Sequence, residues 1–234
     1  MKHNKGWLAL AIMVLIVVVD QVIKIVVKTT MPLCDKKEVF SWFYIYFIEN
    51  NGMAYGMTFI NKLVLSLFRL VAVGAISYYI ACISSKPGTK TGFVVTLAMI
   101  TAGALGNVID CMFYGLCFTE STPFSIAEWT TFGNGYESFL HGKVVDMFYF
   151  PIIQTTWPDW VPWVGGDEFI FFSPIFNFAD AAISVGVVWV LLFYRKELSE
   201  IPIFSNGKDK DKDNGNANGN ANGNANGNAN GNGN

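Results

Sequence analysis

The chain has 234 residues, of which 52% are hydrophobic and 15% aromatic, and its formal net charge at pH 7 is −2. This composition argues against an ordinary soluble domain and favours an integral membrane protein. A charge so close to zero gives no reason to expect a nucleic-acid partner. Two histidines and four cysteines, without CxxC spacing, supply neither a zinc site nor a Ser-His-Asp system, so we predict no metal and no cofactor.

The first predicted membrane span covers residues 7–28, directly after a basic N-terminus. A helix of that length crosses about 30 Å of hydrocarbon, and no small-residue cleavage site marks it as a removable signal peptide. Asp20 and Lys24 stand four residues apart on one face of this helix. They could form an ion pair that satisfies itself or be part of a functional site, and the sequence leaves both open.

Residues 29–61 are too mixed in polarity for a membrane span. Large apolar side chains recur here at every second residue, which predicts a strand with one apolar face. Asn50-Asn51-Gly52 then predicts a turn. We therefore expect a small sheet at the membrane surface. The alternating residues are Phe40, Trp42, Tyr44, Tyr46 and Ile48.

Two further spans are predicted at residues 63–83 and 91–115, joined by a short turn. In the second of them, Gly103 allows close approach of a neighbouring helix. Asn107 and Asp110 lie three residues apart on one face and could donate and accept hydrogen bonds between helices, either as packing contacts or in a site.

Residues 116–168 are predicted to form a long polar and aromatic connection on the outer side. Asp146 differs from the other acids of this connection because it lies in the apolar stretch VVDMFYF, where a carboxylate is poorly solvated. The cysteines are interpreted as plain thiols in apolar surroundings, and a disulfide between Cys34 and Cys117 is the alternative. Three tryptophans beside two prolines are typical of side chains anchored at the lipid–water interface, namely Trp157, Trp160 and Trp163.

The fourth predicted span covers residues 172–194 and contains Asp180, with Asn177 three residues earlier on the same predicted helix face. An ionised aspartate inside a span costs about 2.5–3.5 kcal/mol, so such a side chain normally faces protein or water and has a function. Four spans place both termini on one side, and the basic residues of the loops favour the cytoplasm. We predict an all-α membrane protein with four transmembrane helices, a small extracytoplasmic β-sheet and a long outer loop.

The C-terminal residues 205–234 repeat Asn, Gly and Ala and contain no large apolar residue. Such a segment cannot offset its ordering entropy by burial, so we predict a disordered tail after a membrane domain of residues 1–204.

The orientation of the spans places Asp146 and Asp180 on the same outer side of the membrane. Two carboxyl groups held close together share one proton. One of them can then activate water while the other donates a proton to a carbonyl oxygen, which hydrolyses an amide without a metal. Proton or ion translocation by a small carrier and a purely structural role in helix association remain alternatives at this point.

Five blocks of the sequence, spread over residues 7–195 and in order, resemble the motifs of lipoprotein signal peptidase, also called signal peptidase II. The similarity covers all four predicted spans. The blocks are Asp20-Gln21-Val22-Ile23-Lys24, Asn50-Asn51-Gly52-Met53-Ala54-Tyr55-Gly56, Ala102-Gly103-Ala104-Leu105-Gly106-Asn107-Val108-Ile109-Asp110, Val144-Val145-Asp146 and Phe176-Asn177-Phe178-Ala179-Asp180.

The resemblance implies an aspartic endopeptidase of the bacterial inner membrane with an outward-facing site. Its substrate would be a prolipoprotein, cut just before the cysteine that carries a diacylglyceryl group. The enzyme would act as a monomer among membrane lipids, and globomycin-like cyclic peptides would inhibit it. Asp146 and Asp180 would be catalytic and Asp20 and Lys24 structural. The supporting site residues would be Asn50, Gly103, Asn107, Asp110 and Asn177.

The sequence departs from the family pattern in two ways. Cys111 follows Asp110 where the family has an arginine, so the support of Asp110 must differ. The stretches from Asp110 to Asp146 and from Asp146 to Asn177 are longer than in the family. These insertions change the outer loop and leave the catalytic groups in place.

Overall fold

A computed structural model describes residues 4–51 and 62–201 of the chain. Part of the second motif, from Gly52 to Gly56, and the predicted tail at 205–234 lie outside the described residues. The contacts divide the chain into two units, Met1–Tyr194 and Arg195–Asn234. The helices are α1 (Asn4–Thr30), α2 (Lys62–Ser84), α3 (Thr91–Ile109), α4 (Gly115–Cys117), α5 (Phe178–Phe193) and α6 (Arg195–Ser199), with a π-helical segment at Asp110–Tyr114 between α3 and α4.

Three helical stretches are long and apolar enough to cross a membrane, as predicted for the first three spans: Lys5–Thr30, Lys62–Ser84 and Thr91–Cys117. The central one begins with α3, which contacts α1, α2 and α5. On α3, a Cβ at Gly103 would lie 2.3 Å from the carbonyl oxygen of Ala179 in α5. The expected close helix approach is confirmed, because only a residue without a side chain fits at this contact.

The fourth helix is shorter than predicted. Residues 172–177 are not helical, and α5 begins only at Phe178 as an apolar helix of 16 residues. Pro174 cannot donate a backbone hydrogen bond, and Asn177 adopts the extended backbone of a helix cap. The prediction that Asn177 lies on a helix face is therefore wrong, because Asn177 precedes the helix and caps it.

The described residues also form six strands, so the all-α label is not confirmed. A four-stranded antiparallel sheet has the order β1-β2-β3-β6, and β4 pairs with β5 in a separate hairpin. The strands are β1 (Lys36–Phe40), β2 (Phe43–Asn50), β3 (Val144–Tyr149), β4 (Ile153–Thr156), β5 (Glu168–Phe171) and β6 (Ile175–Phe176).

The predicted sheet in residues 29–61 exists, but its buried face differs from the prediction. A turn at Ser41 and Trp42 separates β1 from β2, which interrupts the predicted alternation. Phe47, at an odd position, is the residue of β2 that is fully buried, and it packs with Val145 and Met147 of β3. The apolar periodicity correctly predicted strands, but it assigned the buried face to the even-numbered positions. The assignment failed because both faces of β2 carry large side chains.

The long connection after α4 is more ordered than predicted. It supplies β3, which lies between β2 and β6 in the sheet, and it also supplies the β4–β5 hairpin. β3 is covered on both faces, so its sequence VVDMFY shows no polar alternation and did not predict a strand. Cys34 and Cys117 are both free thiols, which confirms the interpretation as plain thiols and rules out the alternative disulfide.

Candidate active site

The capped end of α5 fixes the position of Asp180. The Asn177 side chain accepts a hydrogen bond from the Asp180 backbone N–H at 2.9 Å, and the Asp180 carboxylate lies 3.5 Å from the Asn177 backbone N–H. Together these contacts form a capping box, which satisfies backbone donors at the start of a helix. Asp180 therefore lies in the first turn of α5, at the end nearest the sheet.

Strand β3 carries Asp146 beside this helix end. Its side chain is buried, with 4% of the residue exposed. One carboxylate oxygen accepts from Asn177 Nδ2 at 2.7 Å and the other accepts from Asn50 Nδ2 at 3.2 Å. β2 and β3 pair so that Ile48 lies opposite Asp146, which puts Asn50 on the same face of the sheet as Asp146. The sheet therefore positions both side chains.

A chain of hydrogen bonds joins the two aspartates. Asn177 Nδ2 donates to Asp146 and also to Asn107 Oδ1, the latter at 3.1 Å. Asn107 Nδ2 in turn donates to Asp180 Oδ1 at 2.8 Å. Two carboxamides thus link carboxylates that are 34 residues apart in sequence. The structure brings together five residues that the sequence predicted for the site: Asn50, Asn107, Asp146, Asn177 and Asp180.

Lys24 lies at the base of this hydrogen-bond chain. Its ammonium contacts Asp20 Oδ2 at 2.9 Å and Asp110 Oδ2 at 2.8 Å, and it donates to Asn107 Oδ1 at 2.9 Å. Lys24, Asp20 and Asp110 are all fully buried. Because the ammonium can only donate, it requires an oxygen of Asn107 on its side, and this leaves the Asn107 amide nitrogen to face Asp180.

The two carboxylates around Lys24 also hold the elements that carry the candidate dyad. Asp20 Oδ1 accepts from the backbone N–H of Ala179 at 2.9 Å, in the first turn of α5. Asp110 Oδ2 accepts from the backbone N–H of Val145 at 3.3 Å, next to Asp146. The pairing of Asp20 with Lys24 is thus not self-contained, because it belongs to a network that spans α1, α3, α5 and β3.

Gln21 is a member of this network that the sequence analysis quoted without assigning a role. Gln21 Nε2 donates to Asp110 Oδ1 at 2.8 Å, and the Tyr114 hydroxyl donates to Gln21 Oε1 at 3.1 Å. The bond from Gln21 and the contact with Lys24 supply hydrogen-bond donors to both carboxylate oxygens of Asp110. Asp110 is therefore paired even though Cys111 stands where the family has an arginine. The available signal was a carboxamide beside Asp20 in an otherwise apolar helix.

A second buried ionic cluster was missed by the sequence analysis. The Lys28 ammonium contacts the Glu49 carboxylate and donates to Ser121 Oγ at 2.9 Å, while Ser121 Oγ donates to Glu49 at 2.7 Å. Glu49 lies on β2 opposite Val145, on the face of the sheet that looks away from Asp146. The cluster attaches the end of α1 and the segment after α4 to the sheet. The available signal was the spacing of Lys28, four residues after Lys24.

The environment of Asp146 favours its protonated form. Burial raises the pKa of Asp146, and the negative charge of Asp180 raises it further, to about 7. Hydrogen bonds from Asn50 and Asn177 oppose this shift, since they stabilise the carboxylate. A carboxyl group of this kind can hold or release a proton near neutral pH. Among the described residues, no group of three His, Cys, Asp or Glu side chains is arranged to hold a metal ion.

Comparison with known proteins places this arrangement in a family. Residues 12–195 match the family model described as signal peptidase (SPase) II. A lipoprotein signal peptidase of Porphyromonas gingivalis is 48% identical over 195 residues, which cover 83% of this chain and 86% of that protein. A lipoprotein signal peptidase of Amoebophilus asiaticus is 32% identical over 203 residues, covering 84% of this chain and 81% of that protein.

Solved structures show the same fold. A bacterial membrane enzyme determined by the in meso method at 1.9 Å resolution has a TM-score of 0.52 and 25% identity, covering 78% of this chain and 89% of that one. A second such enzyme, at 2.3 Å resolution, has a TM-score of 0.53 and 25% identity, covering 82% and 89%. The fold is thus that of a membrane-embedded enzyme. The chain belongs to the signal peptidase II family.

Proposed function

We propose that this chain is an aspartic endopeptidase that removes the signal peptide from prolipoproteins, with Asp146 and Asp180 as its catalytic pair. The observation that supports this proposal best is the hydrogen-bond chain through Asn177 and Asn107, which joins the two carboxyl groups at the capped end of α5. Family membership supports the activity, since the relatives are named lipoprotein signal peptidases.

In the proposed mechanism the two aspartates hold one proton between them. The ionised carboxylate takes a proton from a water molecule as that water attacks the scissile carbonyl carbon, and the protonated carboxyl donates to the carbonyl oxygen. Collapse of the tetrahedral intermediate breaks the C–N bond, and the proton gained from water goes to the leaving nitrogen. The other carboxylate takes back a proton from a hydroxyl of the intermediate as the carbonyl re-forms, which restores the shared proton. Asn50, Asn107 and Asn177 orient the carboxyl groups, and Gly103, Asp110, Asp20 and Lys24 hold the elements that carry them.

The proposed substrate is a prolipoprotein whose cysteine already carries a diacylglyceryl group, and the bond cut lies just before that cysteine. We place the enzyme as a monomer in the bacterial inner membrane, with α5 as a fourth span, both termini in the cytoplasm and the site towards the outer face. Lysines in the N-terminal segment and between α2 and α3 support this orientation. Globomycin-like peptides are expected to inhibit the enzyme by binding at the two catalytic carboxyl groups.

The proposal is tested with a lipid-modified precursor and the same precursor without the lipid. The purified enzyme in bilayers is expected to release the signal peptide from the modified form and to leave the unmodified form intact. Mass spectrometry of the products gives the cleaved bond, which is expected to leave the lipid-modified cysteine at the new N-terminus. Equal cleavage of both precursors, or cleavage at another bond, would contradict the proposed specificity.

The raised pKa of Asp146 predicts a loss of activity at alkaline pH. With a pKa of about 7, the shared proton leaves as the pH rises above neutrality, and the general acid is lost. We expect kcat/KM to fall about tenfold per pH unit well above pH 7. The native state also binds this proton more tightly than the unfolded chain, so the contribution of Asp146 to stability is full below the ordinary aspartate pKa and is lost as the pH rises through 7.

The measurement is the initial rate of cleavage across the pH range, with the thermal unfolding midpoint recorded at each pH. The unfolding data serve as the control, because they separate loss of the proton from loss of the folded enzyme. A rate that keeps rising above pH 8 while the enzyme stays folded would show that no carboxyl proton is needed.

A further inference from the structure

The β4–β5 hairpin is a part of the structure to which the proposed catalytic chemistry gives no role. We call residues 152–172 the aromatic hairpin. It is inserted between β3, which carries Asp146, and the β6–α5 segment, which carries Asp180. It forms its own two-stranded sheet and is not paired with the four-stranded sheet. Every residue of β4 is exposed, and so are both ends of β5.

The two faces of the aromatic hairpin differ in chemistry. Ile153 pairs with Phe171, Thr155 pairs with Phe169, and these four side chains share one face. Trp157 extends the same face, because its ring lies 5.0 Å from that of Phe169. The opposite face is more polar and carries Gln154, Thr156 and Glu168, together with Ile170.

The turn of the hairpin presents two further indoles. Trp160 is 81% exposed and Trp163 is 99% exposed. The turn is nevertheless closed by backbone hydrogen bonds, since Trp157 N–H donates to Asp167 at 2.8 Å and Gly166 N–H donates to Trp157 at 2.9 Å. Trp163 adopts a positive φ of 67°, which costs a bulky residue conformational energy. The turn therefore holds large apolar side chains in an exposed position at an energetic cost.

The length of α5 determines the depth of the hairpin. α5 runs antiparallel to α3, from the contact of Ala179 with Gly103 to the contact of Tyr194 with Gly92. Its 16 residues span about 24 Å, which is less than the roughly 30 Å of a hydrocarbon core. With α5 embedded as the fourth span proposed above, a helix this short has its N-terminus close to the outer edge of the hydrocarbon, so the segment that precedes α5 ends near that edge.

The hairpin cannot lie far from this level. Residues 173–177 join Phe172 to α5, and five residues reach at most about 18 Å. Phe172 also contacts Phe176 of β6, with ring centroids 6.1 Å apart. The base of the hairpin is thus held near the lipid headgroups, where indole rings and amphipathic elements are most stable.

We propose that the aromatic hairpin docks into the lipid–water interface of the bilayer in which α5 is embedded. Its apolar face and the indoles of Trp160 and Trp163 enter the lipid, and the face with Gln154 and Glu168 stays in water. The occupant of this surface is the bilayer itself, because the short tether to α5 holds the surface at the headgroup level. The docked hairpin fixes the outer ends of β3 and β6 relative to the membrane.

The test uses tryptophan fluorescence of the full chain in bilayers that contain brominated lipids, which quench indoles at the depth of the bromine. Subtracting the emission of the W160S/W163S variant from that of the wild type gives the emission of the two turn indoles alone. The wild-type emission minus that of W189S isolates Trp189, which is half-exposed on α5 and serves as the control for a deep position. Circular dichroism verifies that both variants fold.

The Trp160 and Trp163 signal is expected to be quenched about twofold more strongly by bromine near the headgroup than by bromine near the chain end, and the Trp189 signal is expected to show the reverse order. A turn signal quenched by aqueous iodide and untouched by either brominated lipid would overturn the proposal. Protection of the turn indoles from iodide that depends on protein concentration and not on lipid would also overturn the proposal. Such a result would assign the surface to contact with a second copy of the chain. No precursor is needed, so the result is independent of the proposed peptidase activity.

Discussion

Asp146→Asn and Asp180→Asn are each expected to reduce cleavage of the lipid-modified precursor by about 10²–10⁴-fold, because in the proposed mechanism an amide can neither take a proton from water nor hold the shared proton. The change in size is minimal. The Asn107 amide that donates to Asp180 Oδ1 can still donate to the carbonyl oxygen of an asparagine. At Asp146 both oxygens accept from amides, of Asn50 and Asn177, so one of these bonds is lost in the variant.

The measurement is single-turnover cleavage by each variant in bilayers, with the fold verified by circular dichroism. Asp159→Asn is the matched control, since Asp159 is an exposed carboxylate outside the site and its loss is expected to leave the rate unchanged. Normal processing by either site variant would remove the catalytic pair from the mechanism.

Lys24→Met is expected to produce the largest loss of stability, about 3–5 kcal/mol, because breaking a buried ion pair leaves the remaining charge without compensation. The Lys24 ammonium lies between Asp20 and Asp110, and all three residues are fully buried. Without it, the two carboxylates face each other in the protein interior. The Asn107 carboxamide also loses the donor that fixes its orientation, so activity is expected to fall even in the fraction that stays folded.

The measurement is the unfolding midpoint in denaturant or on heating, together with the cleavage rate of the folded fraction. Lys5→Met is the control in the same helix, because the Lys5 ammonium donates to the Thr89 carbonyl oxygen at the partly exposed end of α1, away from Asp20 and Asp110. The double variant Lys24→Met with Asp110→Asn is expected to recover part of the lost stability, since it removes one stranded carboxylate. If Lys24→Met is as stable as Lys5→Met, the ammonium does not stabilise the network.

Much of the membrane part could be predicted from the sequence, because its signals are local. Long apolar runs gave three helices whose observed bounds lie within a few residues of the predicted ones. Asp20, Lys24 and Asn107 stood out because a polar side chain is costly inside such a run. The structure places these residues in one buried network and brings Asp180 to it, which agrees with the expectation that intramembrane polar groups find partners.

The sheet and its contacts were harder to predict, because they depend on pairing between distant segments. β3 is covered on both faces, so its pattern resembled any buried apolar stretch. The start of α5 was placed too early, because the apolar residues of β6 continue directly into the helix and only the cap at Asn177 marks the boundary. The contact of Lys28 with Glu49 joins residues on different elements, so the spacing of Lys28 from Lys24 marks the lysine without identifying its partner.

The two roles of Asn177 have a consequence for how the enzyme is made. The same side chain accepts from the Asp180 backbone to start α5 and donates to Asp146 across the site. Asn177 caps α5 and Asp180 lies in its first turn, and α5 follows α1, α2 and α3 in the chain, so it is synthesised after them. A protease of the proposed mechanism therefore lacks its second aspartate during most of its own synthesis, and it can become active only after α5 has packed against α3.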